Sequence, residues 1–137
     1  MDPVLILSIY IYWLRVRPSG ELLASVQIHP TKKDVIFFER NGLRHGEFTL
    51  KDNHEVLDLQ WNADSDTLAL LMFDKENNSS VVQLWTTKNY HWYLKQEYIY
   101  QTRVADIKWD AERGLVLHVT TVGKMKMISI FGNFYFI

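Results

Sequence analysis

An internal repeat constrains the fold of this chain more than any other feature. The hexapeptide Val56–Trp61 is matched by Val104–Trp109, and each copy has the order apolar, x, Asp, apolar, x, Trp. The second copy begins 48 positions after the first, so that Asp106 corresponds to Asp58. Repetition at a fixed period of this length indicates an array of similar structural units.

A weaker third copy lies upstream. The segment Val16–Ala24 aligns with Trp61–Ala69, 45 positions later, and Val16 stands where the other two copies have Trp. Short apolar runs between these markers predict further strands, and Asn41-Gly42 predicts a hairpin because both residues tolerate a positive φ. These strands are expected at Asp34–Glu39, Gly46–Leu50, Thr67–Leu71, Ser80–Trp85, Trp92–Tyr98 and Leu115–Val119.

The repeat predicts an all-β fold. Four short strands in each unit are typical of a WD-type β-propeller blade, which repeats at ~40–45 residues. Helical repeats would need amphipathic helices of ~10–12 residues, and the sequence has no such pattern. We therefore predict a partial WD40-like β-propeller of about two and a half to three four-stranded antiparallel blades. Closed propellers have ~4–8 blades, so this one cannot close into a ring and needs a partner for its open faces.

The two ends of the chain differ from the repeat. The apolar run Val4–Leu14 is shorter than the ~20 residues of a membrane-spanning helix. Its β-branched and aromatic residues predict a buried strand. The divisions that we predict are a divergent N-terminal segment 1–15, a partial propeller 16–121 with units at about 16–55, 56–103 and 104–121, and a divergent apolar tail 122–137.

Composition excludes several kinds of site. The formal net charge is −1, whereas nucleic-acid binding usually needs a concentrated positive surface. The chain has no Cys, so disulfides, Cys-based zinc sites and thiol nucleophiles are impossible, and this fits a reducing compartment. We expect the short basic pairs to be solvated strand ends and loops. These pairs are Arg15 with Arg17, Lys32 with Lys33, and Lys124 with Lys126.

No pattern predicts catalytic, cofactor-binding or metal-ligating residues. Asp58 and Asp106 hold the same position in successive units, and a general acid–base pair must instead share one substrate. The sequence has no serine elbow, phosphate-binding glycine loop or helical histidine pair. His118 lies in an apolar run, where we expect a hydrogen-bonded core residue. The other histidines are His29, His45, His54 and His91.

The aromatic side chains are expected to fill the propeller core and the contacts between blades rather than to stack nucleic-acid bases. The exposed features are expected to be the loop Lys75–Ser79 and the turn Arg40–Arg44, where partners could bind. The aromatic residues concerned are Trp61, Trp85, Trp92, Trp109, Tyr90, Tyr93, Tyr98 and Tyr100.

Several runs resemble the largest subunit of the Elongator complex, the Elongator complex protein 1 family (IkappaB kinase complex-associated protein type). The most specific is Val82–Gln96, with Gln-Leu-Trp-Thr followed by Asn-Tyr-His-Trp-Tyr-Leu-Lys-Gln. Asn41–Leu50 and Leu59–Ser65 are also similar. The resemblance extends from about Val16 to about Thr121.

The resemblance implies a scaffold that supports modification of the wobble uridine of tRNA with 5-carboxymethyl-type groups. The family's chemistry belongs to another, iron–sulfur subunit, so no catalytic residue or cofactor is implied for this chain. The implied partners are other Elongator subunits, with tRNA contacted indirectly and neither a membrane nor a small-molecule substrate, in the cytoplasm and also the nucleus. A generic WD-repeat adaptor, direct tRNA binding and a truncated non-functional product remain alternatives, and an enzyme has no motif in support.

Overall fold

The computed structural model describes residues 10–17, 19–62, 66–121, 124–130 and 134–136. Strands dominate these residues. The strands are β1 Tyr10–Val16, β2 Leu22–Ile28, β3 Lys33–Glu39, β4 Arg44–Leu50, β5 His54–Trp61, β6 Thr67–Asp74, β7 Ser79–Lys88, β8 His91–Tyr100, β9 Val104–Asp110, β10 Gly114–Thr121, β11 Lys124–Ser129 and β12 Phe134–Phe136.

The strands form three antiparallel sheets of four strands each, and within each sheet every strand pairs with the strands next to it in the chain. We call β1–β4 blade 1, β5–β8 blade 2 and β9–β12 blade 3. No sheet closes on itself, because each has two edge strands. This confirms the predicted partial propeller of four-stranded blades.

Blade 2 is packed between the other two. Within β6, Leu68, Leu70 and Met72 belong to the core shared with blade 1. The alternate residues Ala69 and Leu71 belong to the core shared with blade 3. Successive side chains of a strand point to opposite faces, so β6 is buried on both of its faces. This explains why its sequence is a continuous apolar run rather than an alternating one.

Two apolar cores hold the blades together. Burying one large aliphatic or aromatic side chain contributes roughly 1.5–3 kcal/mol, so each core stabilises the stack substantially. The first core combines Ala24, Val26, Val35, Phe37, Phe48 and Leu50 with Val56, Leu59, Trp61, Leu68, Leu70, Met72 and Val81. The second combines Ala69, Leu71, Val82 and Leu84 with Val104, Ile107, Leu115, Leu117, Val119 and Ile128.

The limits of the sheets differ from the predicted divisions. β1 pairs antiparallel with β2 and crosses the predicted boundary at residue 15. Blade 3 continues past residue 121, because β11 pairs with β10 and β12 pairs with β11. The sheets therefore span 10–50, 54–100 and 104–136. The predicted strand Val4–Leu14 overlaps β1, and its part before Tyr10 lies outside the described residues.

The turn between β3 and β4 is a hairpin, as predicted, but for a different reason. Gly42 has a φ of +87°, whereas Asn41 does not have a positive φ. The amide of Gly42 donates to the carbonyl of Glu39 at 2.9 Å, and the amide of Leu43 donates to Asn41 Oδ1 at 3.0 Å. A turn followed by a left-handed Gly is a common three-residue hairpin with a bulge, so Gly42 alone meets the conformational demand.

Candidate functional site

The innermost strands of blades 2 and 3 contain the same irregularity. In β5 the register against β6 shifts between Val56 and Asp58, which leaves Leu57 as an extra residue. In β9 the register against β10 shifts between Val104 and Asp106, with Ala105 in the corresponding place. A β-bulge of this kind re-aims the side chains beside it. Both repeat aspartates therefore follow a bulge.

Asp58 connects blade 2 to blade 3. It is buried, and its Oδ1 accepts hydrogen bonds from the amide of Leu59 at 2.8 Å and from Gln60 Nε2 at 3.1 Å. Its Oδ2 accepts the amide of Ile107 on blade 3 at 3.3 Å. A buried carboxylate is costly to bury unless its oxygens are hydrogen-bonded, and these donors provide that. Asp58 thus has a structural role between two sheets.

Two further hydrogen bonds join the same blades. The indole Nε1 of Trp109 donates to the carbonyl of Gln60 at 3.0 Å. The amide of Val104 donates to Ser80 Oγ at 2.9 Å, in a buried position. Each bond gives a partner to a polar group that would otherwise lose its hydrogen bond to water when the sheets pack. Trp109 of the repeat therefore packs against the apolar core and also donates a hydrogen bond.

Asp106 lies in a different environment from Asp58. Its side chain is 56% exposed, and its Oδ1 contacts His118 Nδ1 across the strand pair β9–β10. The two repeat aspartates lie on different sheets, as the sequence predicts. The expectation that His118 is hydrogen-bonded is confirmed by its contact with Asp106, whereas the expected core position is wrong, because its side chain is 20% exposed.

Lys33 joins blade 1 to blade 2. Its Nζ donates to the carbonyl of Asp52 at 3.1 Å and to that of His54 at 2.9 Å. Lys32 lies 3.3 Å from the carboxylate of Asp34 through its Nζ. The expectation of a solvated pair is confirmed for Lys32, whose side chain is 53% exposed, and is wrong for Lys33, which is half-buried between the blades.

Stacked aromatic rings fill the contact between blades 1 and 2. Phe37 stacks on Trp92 with centroids 3.7 Å apart, and Phe48 stacks on Trp85 at 3.6 Å. Trp61 meets both Phe37 and Trp92 edge-on at 6.0 Å. Such pairs contribute roughly 0.5–1.5 kcal/mol beyond the area they bury. The predicted packing role is confirmed for these three Trp residues.

The remaining aromatic residues divide into two groups. Trp109, Tyr98 and Tyr100 pack partly buried against the core between blades 2 and 3, as predicted. Burial, together with the neighbouring Tyr98, raises the pKa of Tyr100. Tyr90 and Tyr93 are 66% and 48% exposed, so the predicted packing role is wrong for them. Of all these aromatic side chains, they are the two that present a surface to a partner.

Tyr90 lies at the end of the molecule where β3–β4 and β7–β8 turn. Its φ is +68° and that of Asn89 is +53°, which makes the β7–β8 connection a two-residue hairpin of the mirror-image type. A positive φ at an aromatic residue is unusual and strained. The ring of Tyr90 contacts that of His45 with centroids 4.8 Å apart. The sequence did not predict this conformation, because Asn-Gly is the usual signal.

A cavity of about 430 Å³ opens beside these turns. Two guanidinium and two carboxylate groups surround it, so it has no dominant charge. All residues of the neighbouring turn Arg40–Arg44 are exposed, as predicted. We call Arg40–Arg44 together with Tyr90 the turn surface. The cavity is lined by Arg17, Glu21, Glu39, Arg40, His45 and Tyr90, among others.

Gly46, in β4, allows blade 1 to approach Trp92 and the backbone of Tyr90 in blade 2. A Cβ at this position would lie 2.9 Å from Trp92 Cδ1 and 3.1 Å from the carbonyl oxygen of Tyr90. Distances this short are not tolerated by packed atoms. Gly46 does not have a positive φ. Glycine is therefore needed here because the neighbouring atoms leave no room for a Cβ, and not because of the backbone conformation.

The predicted loop Lys75–Ser79 lies at the opposite end. Lys75 to Asn78 are exposed, as predicted, whereas Ser79 is buried at the start of β7. Asp74 organises this turn by accepting the amides of Glu76 at 3.0 Å and Asn77 at 3.2 Å. The side-chain amide of Asn77 also donates to Asp74 at 2.8 Å and, with these bonds, lowers the pKa of Asp74.

Four of the five histidines, His29, His45, His54 and His118, contact a single carboxylate or aromatic rings. His54 Nε2 lies 3.6 Å from Asp74 Oδ2, and His29 Nε2 lies 3.6 Å from Asp34 Oδ2. Among the residues that the structure describes, no group of three or more His, Asp and Glu side chains could hold a metal ion. Within the same described ranges, no helix has the length and apolar character to cross a membrane.

Comparisons with known proteins extend these observations. A family model described as the ELP1 first N-terminal beta-propeller matches residues 6–112, which include blades 1 and 2 and the first strand of blade 3. The match begins before Val16, so likeness to the family starts earlier than the sequence motifs suggest.

Several curated relatives are similar to this chain. Elongator complex protein 1 of Mus musculus is 49% identical over 119 residues, which cover 78% of this chain and 9% of the relative. The Saccharomyces cerevisiae protein of the same name is 40% identical over 120 residues, covering 82% and 8%. The Arabidopsis thaliana protein is 32% identical over 108 residues, covering 73% and 8%. The chain thus spans less than a tenth of the length of these relatives, and it belongs to the family of the first N-terminal β-propeller of Elongator complex protein 1.

Proposed function

We propose that this chain is a non-catalytic scaffold element of the Elongator complex. In this role it supports tRNA wobble uridine modification of the 5-carboxymethyl type through protein–protein contacts. The observation that carries the proposal is the family match over residues 6–112. Propeller blades act by presenting rigid loops and faces, and the buried polar contacts described above join or shape the blades.

The turn surface is the region that we propose for binding another subunit. Leu43 and Tyr90 are 61% and 66% exposed, and Arg40 and Arg44 lie beside them. Tyr and Arg are enriched among the residues that dominate protein–protein binding energy. The ring of Tyr90 already contacts that of His45, with centroids 4.8 Å apart, and a side chain ordered before binding loses less entropy when a partner binds.

The proposed partners are other Elongator subunits, and tRNA is reached indirectly through the complex. The formal net charge of −1 supports indirect contact, because direct binding of a polyanion relies on clustered cations. We propose the cytoplasm, and also the nucleus, as the compartments. The absence of Cys from the sequence fits a reducing environment of this kind.

A pull-down with the purified Elongator subunits tests this proposal. The tagged chain is first shown to be folded by its near-ultraviolet circular dichroism and then incubated with the subunits. We expect at least one subunit to be retained. A double variant, Leu43→Ser with Tyr90→Asn, should weaken retention about tenfold, because Asn tolerates the positive φ while the two apolar contacts are lost.

The matched control is Lys75→Ser with Asn77→Ser at the opposite end of blade 2, which should retain the subunit unchanged. If the folded chain binds none of the subunits, the proposal is wrong. If it instead binds the components of a separate complex, the chain is a generic WD-repeat adaptor.

The alternative of a truncated, non-functional product has one observation in its favour. The outer face of blade 3 is uncovered at Ala105, Asp106 and Lys108. Isolated blades are poorly stable when a neighbour is missing. This alternative predicts rapid digestion of the chain by a protease even in the presence of Elongator subunits, whereas the scaffold proposal predicts protection by them.

A further inference from the structure

The outermost strand of blade 2, β8, is the most exposed of the strands whose side chains the structure describes in full. Seven of its ten side chains are exposed, and it pairs with a neighbour, β7, on one side only. An edge strand presents a row of unpaired amide and carbonyl groups to which a further strand can bond. β8 contains neither Pro nor Gly, so this row is long and continuous.

The register against β7 shows which side chains of β8 share a face. Ile99 is opposite Val81, and Leu94 is opposite Trp85. Val81 and Trp85 both pack in the core between blades 1 and 2. Because directly opposite residues of an antiparallel pair lie on the same face, Leu94 and Ile99 point toward blade 1. They are nevertheless 44% and 60% exposed, so blade 1 leaves them largely uncovered.

Glu97 lies between these two apolar side chains on the same face. It is opposite Gln83, whose Nε2 donates to Glu97 Oε2 at 2.6 Å. The other carboxylate oxygen accepts no hydrogen bond within the described residues. Lys95 is the extra residue of a bulge, and it lines a cavity with Asp66 between blades 2 and 3, away from this face. The exposed face of β8 therefore has a single negative charge between two apolar side chains.

We propose that the edge of β8 binds an extended segment of a partner protein as an added strand, and that Leu94, Glu97 and Ile99 select its sequence. In strand addition of this kind, main-chain hydrogen bonds give affinity and alternate side chains give specificity. The fitting segment has an apolar residue, any residue, Lys or Arg, any residue, and a second apolar residue. Its basic side chain meets Glu97, and its apolar side chains meet Leu94 and Ile99.

The spacing of this segment follows from β7. Despite the bulge, β7 meets the same three side chains of β8 with residues at every second position. An added strand without a bulge meets them at the same spacing. The order of the segment is the same in both directions, so it fits whether the added strand is parallel or antiparallel to β8.

A second copy of this chain is a poorer occupant than another protein. No Lys or Arg of the sequence has Val, Ile, Leu, Met or an aromatic residue both two positions before it and two positions after it. The proposal concerns a different region from the turn surface, and it does not depend on which complex the chain joins. Retention of Elongator subunits and strand addition at β8 are measured separately, so either can fail without the other.

A designed peptide tests the strand addition. The probe is the peptide Thr-Val-Thr-Lys-Thr-Val-Thr with both ends capped, added to the full chain after its amide spectrum has shown that it is folded. The alternate amides of Gln96–Tyr100 that point away from β7 should exchange at least about tenfold more slowly when the peptide is bound. The same peptide with N-methylated backbone amides cannot donate strand hydrogen bonds, and it should give no protection.

An exchange of charges tests the selectivity. A peptide with Glu in place of the central Lys should bind the wild type about fivefold more weakly, because like charges directly opposite one another are destabilising. In the variant Glu97→Lys this preference should reverse. The matched control is Glu47→Lys, which changes an exposed glutamate of β4, the outermost strand of blade 1, and should leave the preference unchanged.

Four results would overturn the proposal. Unprotected β8 amides at saturating peptide would mean that the bulge and the charges of β8 keep its edge unpaired. Protection of β4 in place of β8 would put the binding edge on blade 1. A peptide preference that survives Glu97→Lys would show that this carboxylate does not select the segment. Protection that rises with the concentration of the chain alone would make a second copy the occupant.

Discussion

At the residue scale, identical side chains have different roles according to what packs against them. Asp58 is buried with both of its oxygens hydrogen-bonded, whereas Asp106 is exposed and contacts His118. The sequence predicted that the two occupy equivalent positions on separate blades. It could not predict how their oxygens are used, because this depends on the bulge at Leu57 and on the amide of a strand 49 residues away.

Removing the buried carboxylate should therefore cost more than removing the exposed one. Asp58→Ala leaves the buried amide of Ile107 without an acceptor, and we expect the free energy of unfolding to fall by roughly 1–3 kcal/mol. The matched substitution Asp106→Ala should cost less than about 1 kcal/mol, because a polar contact of an exposed side chain contributes little. Urea denaturation of the two variants measures both values, and equal losses would contradict the assigned role of Asp58.

Gly46 permits a contact that any side chain would prevent. Gly46→Ala should lower the free energy of unfolding by about 1–3 kcal/mol, because its Cβ would lie 2.9 Å from Trp92. In the background Trp92→Leu, where a smaller and more flexible side chain replaces the indole, the same substitution should cost clearly less. A double-mutant cycle measures this coupling. A cost that is independent of the residue at position 92 would show that the contact with the indole is not the cause.

At the element scale, the strands were predictable and their ends were not. The apolar runs around Ser80–Trp85 and Leu115–Val119 contained enough information to predict β7 and β10, because alternation and β-branched residues are local signals. The predicted strand Val4–Leu14 overlaps β1 but ends two residues before β1 does, and β12 was missed because its main evidence is pairing with β11, which is a tertiary property. The strained turn at Tyr90 was missed because Asn89-Tyr90 lacks the glycine that usually marks such a turn.

Acid should weaken the turn between β6 and β7. The hydrogen bonds from Asn77 and Glu76 hold the pKa of Asp74 below its ordinary value of 3.8. A group whose pKa is lower in the folded state stabilises the protein above its unfolded pKa, and this stabilisation is lost as the pH falls through the folded pKa. The wild type should therefore lose stability as the pH is lowered from about 5 to below 3.8.

The Asp74→Asn variant should be less stable than the wild type at neutral pH and should lose less stability over this acid range. Asp52→Asn is the matched control, because Asp52 is exposed in the neighbouring turn and its side chain forms no hydrogen bond in the described structure. Thermal unfolding followed by circular dichroism between pH 7 and pH 3 measures these differences. An Asp74→Asn profile parallel to that of the wild type would exclude Asp74 as a source of the acid sensitivity.

At the scale of the whole molecule, three sheets are stacked in series, and the middle one is covered on both faces. The 45- and 48-residue spacings predicted this arrangement, because equivalent strands of a repeat must bury equivalent faces. The polar contacts that fix the stack could not be predicted. Lys33 with the carbonyls of Asp52 and His54, and Trp109 with that of Gln60, depend on how neighbouring blades are oriented.

Residue-resolved amide hydrogen exchange of the purified chain tests this stacking most directly. In a series of stacked blades the middle unit gains stability from both neighbours, while each outer unit gains it from one. The amides of β6 should exchange more slowly than those of the corresponding strands β2 and β10. Exchange in β6 as fast as in β2 and β10 would mean that the sheets do not pack on one another.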